Sequence, residues 1–146
     1  MGHGPSTGGG AFLPELSDAV IDVLASSYPN APLDASAMWN DFHGAVTRVP
    51  IEATAFPLRR RGFDLFICAP WQGAEAGRRV LAWVRGLHDS LQPYADGVYV
   101  NNLENEGEER VREAYGANYA RLSRLKAQYD PLNVFHVNQN IAPAVG

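Results

Sequence analysis

VYVNNLENEGEERVREAYGANYARLSRLKAQYDPLNVFHVNQNIAP, residues 98–143, is the stretch around which the rest of the chain is organised. A short strand-like run at 98–101 carries two adjacent amides, Asn101 and Asn102. Glu104, Glu106, Glu108 and Glu109 then mark a turn and a helix start, where carboxylates complement the helix dipole. Tyr115, Asn118, Tyr119, Leu122, Leu125 and Tyr129 recur at three- and four-residue spacings, the period of a helix with one packed face. Asp130-Pro131 ends that helix, because the residue before proline is pushed out of the α region. A short extended segment at 134–137 follows, then the amide triplet Asn138-Gln139-Asn140. In extended geometry Asn138 and Asn140 share a face and Gln139 points away.

Working back along the chain, 63–69 (FDLFICA) is the strongest strand signal, closed by Pro70. The stretch 75–91 reads as an amphipathic helix with Val80, Trp83, Val84, Leu87 and Leu91 on one face. Ser17 is suited to cap a helix bearing Val20, Ile21, Val23 and Leu24. Residues 33–42 and 45–49 read as strands, 54–58 as extended, and Arg59-Arg60-Arg61 as a solvated turn. The first ten residues, MGHGPSTGGG, hold five glycines and read as a flexible lead-in with a solvated His3. The order of elements gives an α+β fold: an antiparallel β-sheet with helices packed on one face. Residues 1–10 form the lead-in, 11–97 the α+β region and 98–146 a C-terminal segment.

Composition narrows the function. A 46% hydrophobic chain with 19% charged residues can build a core. The net charge of −4 argues against a nucleic-acid partner. No apolar run is long enough to span a membrane, no signal peptide is legible, and a cytoplasmic location is the default. Cys68, the single cysteine, excludes an internal disulfide and reads as a buried small hydrophobe. His43, His88 and His136 form no metal motif. Gly8-Gly9-Gly10 lacks the strand–loop–helix setting of a phosphate loop.

The C-terminal stretch also resembles a known family. Tyr99-Val100-Asn101, Tyr115-Gly116, Asn118-Tyr119, Arg121-Leu122, Leu125-Lys126, Tyr129-Asp130-Pro131, Asn133, Phe135 and Asn138-Gln139-Asn140-Ile141 are similar, in order and spacing, to the end of berberine-bridge-enzyme-like FAD-linked oxidoreductases. Phe12-Leu13-Pro14-Glu15-Leu16-Ser17, Gly44-Ala45-Val46 and Thr54-Ala55-Phe56 resemble their substrate domain more loosely. The resemblance implies FAD as cofactor, a small-molecule substrate, and an FAD-binding domain as the partner this chain lacks. It implies cofactor contacts from Asn101, Asn138, Asn140 and Tyr99, with the 138–140 segment returning toward that domain. Asn102 falls where many members carry a tyrosine base, and an amide takes no proton usefully near neutral pH, so the catalytic base is unassigned. His43, before the Gly44 bend, is the candidate substrate contact. Tyr115, Tyr119 and Tyr129 read as packing residues. The alternatives are a non-catalytic fragment or subunit that associates with a separate FAD-binding domain, and a small-molecule binding module resting on fold analogy alone.

Overall fold

The computed structural model describes residues 6–104 and 107–145; His3 and Glu106 lie outside the described residues. The central strand, β3 (Gly62–Pro70), pairs antiparallel with β1 (Ser6–Leu13) on one side and β2 (Ser36–Phe42) on the other. Alternation along β3 sends Leu65, Ile67 and Ala69 to one face, beside Ala11 and Leu13 of β1. Against them lies α2 (Ala74–Leu91), whose Val80, Val84, Leu87 and Leu91 are all under 5% exposed. Burying each such side chain stabilises the fold by roughly 1.5–3 kcal/mol. The first helix, α1 (Asp18–Ser27), adds Val20 to this cluster, and Ser17 caps it by accepting from the Val20 N–H. Trp83 Nε1 donates to the Ser27 carbonyl at 3.1 Å and fastens α2 to the end of α1.

The glycine-rich start is not a free lead-in: from Ser6 onward it is the edge strand β1. Two of its glycines, Gly8 and Gly10, allow close approach. A Cβ at Gly8 would lie 2.6 Å from the Ile67 carbonyl oxygen, and one at Gly10 would lie 2.5 Å from the Asn102 Cβ. The outer edge of β1 is then covered, since the Phe12 N–H donates to the Gly97 carbonyl and the Asp96 N–H to the Phe12 carbonyl.

Three expected extended segments are absent, each for a local reason. Residues Gly44–Arg48 form a 3₁₀ turn after Gly44 enters the left-handed region at φ +66°. Residues Val100–Asn102 also form a 3₁₀ turn, because the Asn102 and Leu103 N–H groups bond back to the Tyr99 and Val100 carbonyls. At 134–137 the Asp130 carboxylate captures the Val134 and Phe135 N–H groups, leaving neither for a ladder. Residues 54–58, expected to be extended, join no strand. The arginine turn is also not simply solvated. Arg60 pairs with Asp96 at 2.6 Å and lies over the Phe12 ring, while Arg59 lies over Phe56.

The last third builds a second buried cluster from Val98, Leu103, Val111, Ala114 and Tyr119. Val111 and Ala114 come from α3 (Glu108–Tyr115), and Tyr119 opens α4 (Tyr119–Tyr129). Gly116 at φ +50° makes the break between them. Asn118 is buried in that break and donates to the Ile51 and Thr54 carbonyls. Ser123 holds the returning tail, donating to the Ala142 carbonyl and accepting, through its own carbonyl, the Ala144 N–H. Tyr129, expected to pack, is 78% exposed. Cys68 is half-buried on the sheet face away from α2. Among the described residues no helix is long and apolar enough to cross a membrane.

Candidate functional site

The two amide clusters meet. Asn101, Leu103, Glu104, Asn138 and Gln139 line a cleft of about 630 Å³, within the size range of small-molecule sites. Its first wall is the Val100–Asn102 turn, which parts the two asparagines. Asn101 stays at the surface and donates through Nδ2 to the Tyr99 hydroxyl at 2.6 Å. Tyr99 is itself braced edge-on by the Phe56 ring, 5.4 Å between centroids.

Asn102 turns the other way, over Gly10 and into the sheet, and donates to Asp64 Oδ1 at 2.9 Å. Asn40 of β2 donates to the second oxygen, Oδ2, at 3.2 Å. Asp64 is only 2% exposed. Desolvation raises its carboxyl above the ordinary aspartate value, and the two amide donors oppose that rise. The sequence reading passed over Asp64. The available signal was a carboxylate as the second residue of FDLFICA, since a buried charge requires partners.

Glu104 forms the wall between the cleft and the sheet. Its two oxygens accept from the Thr7 hydroxyl at 2.8 Å and the Gly8 N–H at 2.6 Å. Glu108, by contrast, pairs with Arg112 at 2.6 Å, and that guanidinium holds the Glu108 carboxyl below its usual range. Among the described residues no cluster of three or more His, Cys, Asp or Glu could hold a metal.

The opposite wall is the triplet. Its backbone is not extended: Asn138 sits at φ +61°, and the Asn140 N–H returns to the Asn138 carbonyl at 2.9 Å. Gln139 therefore points inward and anchors the segment, donating to the Leu103 carbonyl at 2.6 Å. Asn138 is left exposed at the cleft. Asn140 Oδ1 is shielded from solvent and has no hydrogen-bond partner among the described residues. His43 is not among the residues lining this cleft. It stands beyond the end of β2, 66% exposed and 4.0 Å from Asp41. A separate cleft of about 590 Å³, with Leu33, Asp34, Trp71 and Arg79 among its lining, lies between the α1–β2 connection and the start of α2.

Residues 98–142, which supply the lining of the amide cleft, match a family model described as "Berberine and berberine like". Over 133 residues the chain is 38% identical to the FAD-linked oxidoreductase YvdP of Bacillus subtilis, covering 88% of this chain and 29% of that protein. The last third of this chain is berberine-bridge-enzyme-like. The chain is also 31% identical over 165 residues to berberine bridge enzyme-like 17 of Arabidopsis thaliana, covering 96% of this chain and 31% of that one. The wild-type BBE-like 1 structure of Physcomitrella patens shares the fold at a TM-score of 0.87 and 20% identity, covering 98% of this chain and 31% of that chain. The chain thus spans about 30% of the length of the relatives it matches.

FAD is the cofactor named for such relatives, and the residues present fit one part of it. Neutral amides offer both donors and acceptors to the polar edge of a flat ring. Asn101, Asn138 and Gln139 supply those amides, whereas Asn140 and Tyr99 are not among the residues lining the cleft. No lysine or arginine lines the amide cleft, so it suits the ring edge and not the phosphates.

Proposed function

We propose that this chain supplies the substrate-facing sheet and the flavin-ring contacts of an FAD-dependent oxidoreductase that moves a hydride from a small-molecule substrate to the flavin. The observation that carries the reading is the meeting of Asn101 and Asn138 across one cleft. Asn101, held by Tyr99, and the 138–140 turn, held by Gln139, would fix the ring edge with little side-chain reorganisation. Bound FAD supplies the two-electron acceptor. Asn102 contributes no base: a carboxamide takes no proton near neutral pH, and its Nδ2 is committed to Asp64. The chain's role is orientation, and the FAD-binding domain that completes the enzyme comes from outside these residues.

The test is flavin retention by a reconstituted pair. This chain is produced together with the portion of YvdP that lies outside the match, and bound flavin is read from absorbance near about 450 nm after desalting. Asn101→Ala and Asn138→Ala should each weaken FAD retention about tenfold, the scale of one lost hydrogen bond. Retention unchanged in both variants would remove the amide cleft from the flavin site. The chain alone should be colourless after incubation with FAD.

A further inference from the structure

The loop that follows α4 is built inside out. Tyr129 (78% exposed), Leu132 (85%), Val134 (63%), Phe135 (81%) and Val137 (78%) all face solvent within nine residues. Single exposed apolar side chains are ordinary, but a contiguous group marks an interaction surface. The polar groups occupy the inside instead. Asp130 and Lys126 side chains are only 11% and 16% exposed, and they pair at 2.5 Å. Asp130 accepts the Val134 N–H at 2.7 Å and the Phe135 N–H at 3.0 Å, and Lys126 Nζ also donates to the Phe135 carbonyl. Asn133 takes a left-handed conformation, φ +52°, to close the turn, and its N–H bonds the Asp130 carbonyl. His136 Nδ1 lies 3.0 Å from the Asn133 carbonyl oxygen. A loop this heavily bonded presents its apolar side chains already ordered, which lowers the entropic cost of docking.

We infer that the 129–137 loop is a preformed apolar docking surface for the flavin-holding portion of the enzyme, latched in shape by the Lys126–Asp130 pair. Two observations select that occupant over a second copy or a membrane. The loop lies inside the berberine-like match, and the matched relatives carry some 70% of their length outside the region this chain covers. It also runs without a break into Asn138, so whatever covers Phe135 and Val137 lies next to the amide cleft. The inference rests on the reading above that this chain works with a flavin-holding portion.

The experiment measures association of the 146-residue chain with the portion of YvdP outside the match. Phe135→Asp and Leu132→Asp should each weaken binding at least tenfold. Leu33→Asp, at an 87% exposed position lining the other cleft, should leave it unchanged. Both loop side chains are exposed, so the variants' melting temperatures should match the wild type's. Absence of wild-type binding, or equal binding by the loop variants, overturns the inference. So does a concentration-dependent dimer, or binding to neutral phosphatidylcholine vesicles, that the loop variants abolish while YvdP binding persists. Loop variants that leave docking and flavin intact defeat this surface alone. Docking without flavin defeats the cofactor reading and leaves the surface standing.

Discussion

Gly9 and Gly10 are neighbours of the same type in the same strand, yet their surroundings differ sharply. At Gly10 an added Cβ would lie 2.5 Å from the Asn102 Cβ, an atom fixed by the backbone of the turn and by the bond to Asp64. At Gly9 the nearest atoms are 3.8 Å away, on His88 and Val84, an ordinary van der Waals distance. Gly10→Ala should therefore destabilise the fold by about 1–3 kcal/mol through overpacking. Gly9→Ala should be neutral, or up to about 1 kcal/mol stabilising, because it restricts the unfolded chain. Urea unfolding of the two variants decides the matter, and equal effects would sink the account of β1 as a close-approach strand. This is also where residue-level reading reached its limit. Three adjacent glycines carry no apolar periodicity, and the reason for Gly8 and Gly10 lies in Ile67 and Asn102, which are distant in sequence. Asp64 differs, because its demand for partners was present in its own strand.

Among the elements, those with a repeated pattern were legible. The stripe of α2, the β3 run and the Ser17 cap follow from spacing and capping chemistry alone. The segments at 98–101 and 134–137 share the composition of strands, but the Tyr99 and Val100 carbonyls are taken by the next turn's N–H groups, and one carboxylate claims the Val134 and Phe135 N–H groups. Composition does not reveal such competition, and it hid the inward anchoring of Gln139 for the same reason. The Asp130 latch makes a prediction at this scale. The hydrogen bond from Lys126 is the main cause holding the Asp130 carboxyl below its usual value, with the Val134 and Phe135 N–H groups adding to it and burial opposing. Because the folded value is depressed, the latch's contribution is fully present above the unfolded aspartate pKa of about 3.9 and is lost as pH falls through the lower folded value. Amide exchange at Val134 and Phe135 should stay protected down to mildly acidic pH, and Asp130→Asn should speed it wherever the wild-type carboxylate is ionised. Protection lost already between about pH 6 and 5, above the unfolded value, would contradict the latch.

Across the whole molecule, two buried clusters are sewn together by a few polar stitches. The sheet and its two helices form one, and Val98, Leu103, α3 and the start of α4 form the other. Between them run the Asn102–Asp64 bond, the two Glu104 bonds to Thr7 and Gly8, and the Asn118 bonds to the 51–54 turn. The sequence exposed the α+β order of the elements but not these stitches, since each joins residues 38 to 97 positions apart. Their consequence is cooperative unfolding, and the tryptophans make it measurable. Trp39, Trp71 and Trp83 all belong to the sheet half, so their fluorescence reports that half, whereas far-UV circular dichroism reports helices in both. In the wild type the two signals should change together, as expected of a single cooperative domain. Removing two stitches with the Asn102→Ala/Glu104→Ala pair should part them, with dichroism falling first as α3 and α4 melt and fluorescence following at higher denaturant. Separate transitions in the wild type would mean that the stitches do not couple the halves. Coincident transitions in the double variant would assign the coupling to the bonds that neither substitution touches, those of Asn118 and of the Phe12 backbone with Asp96 and Gly97.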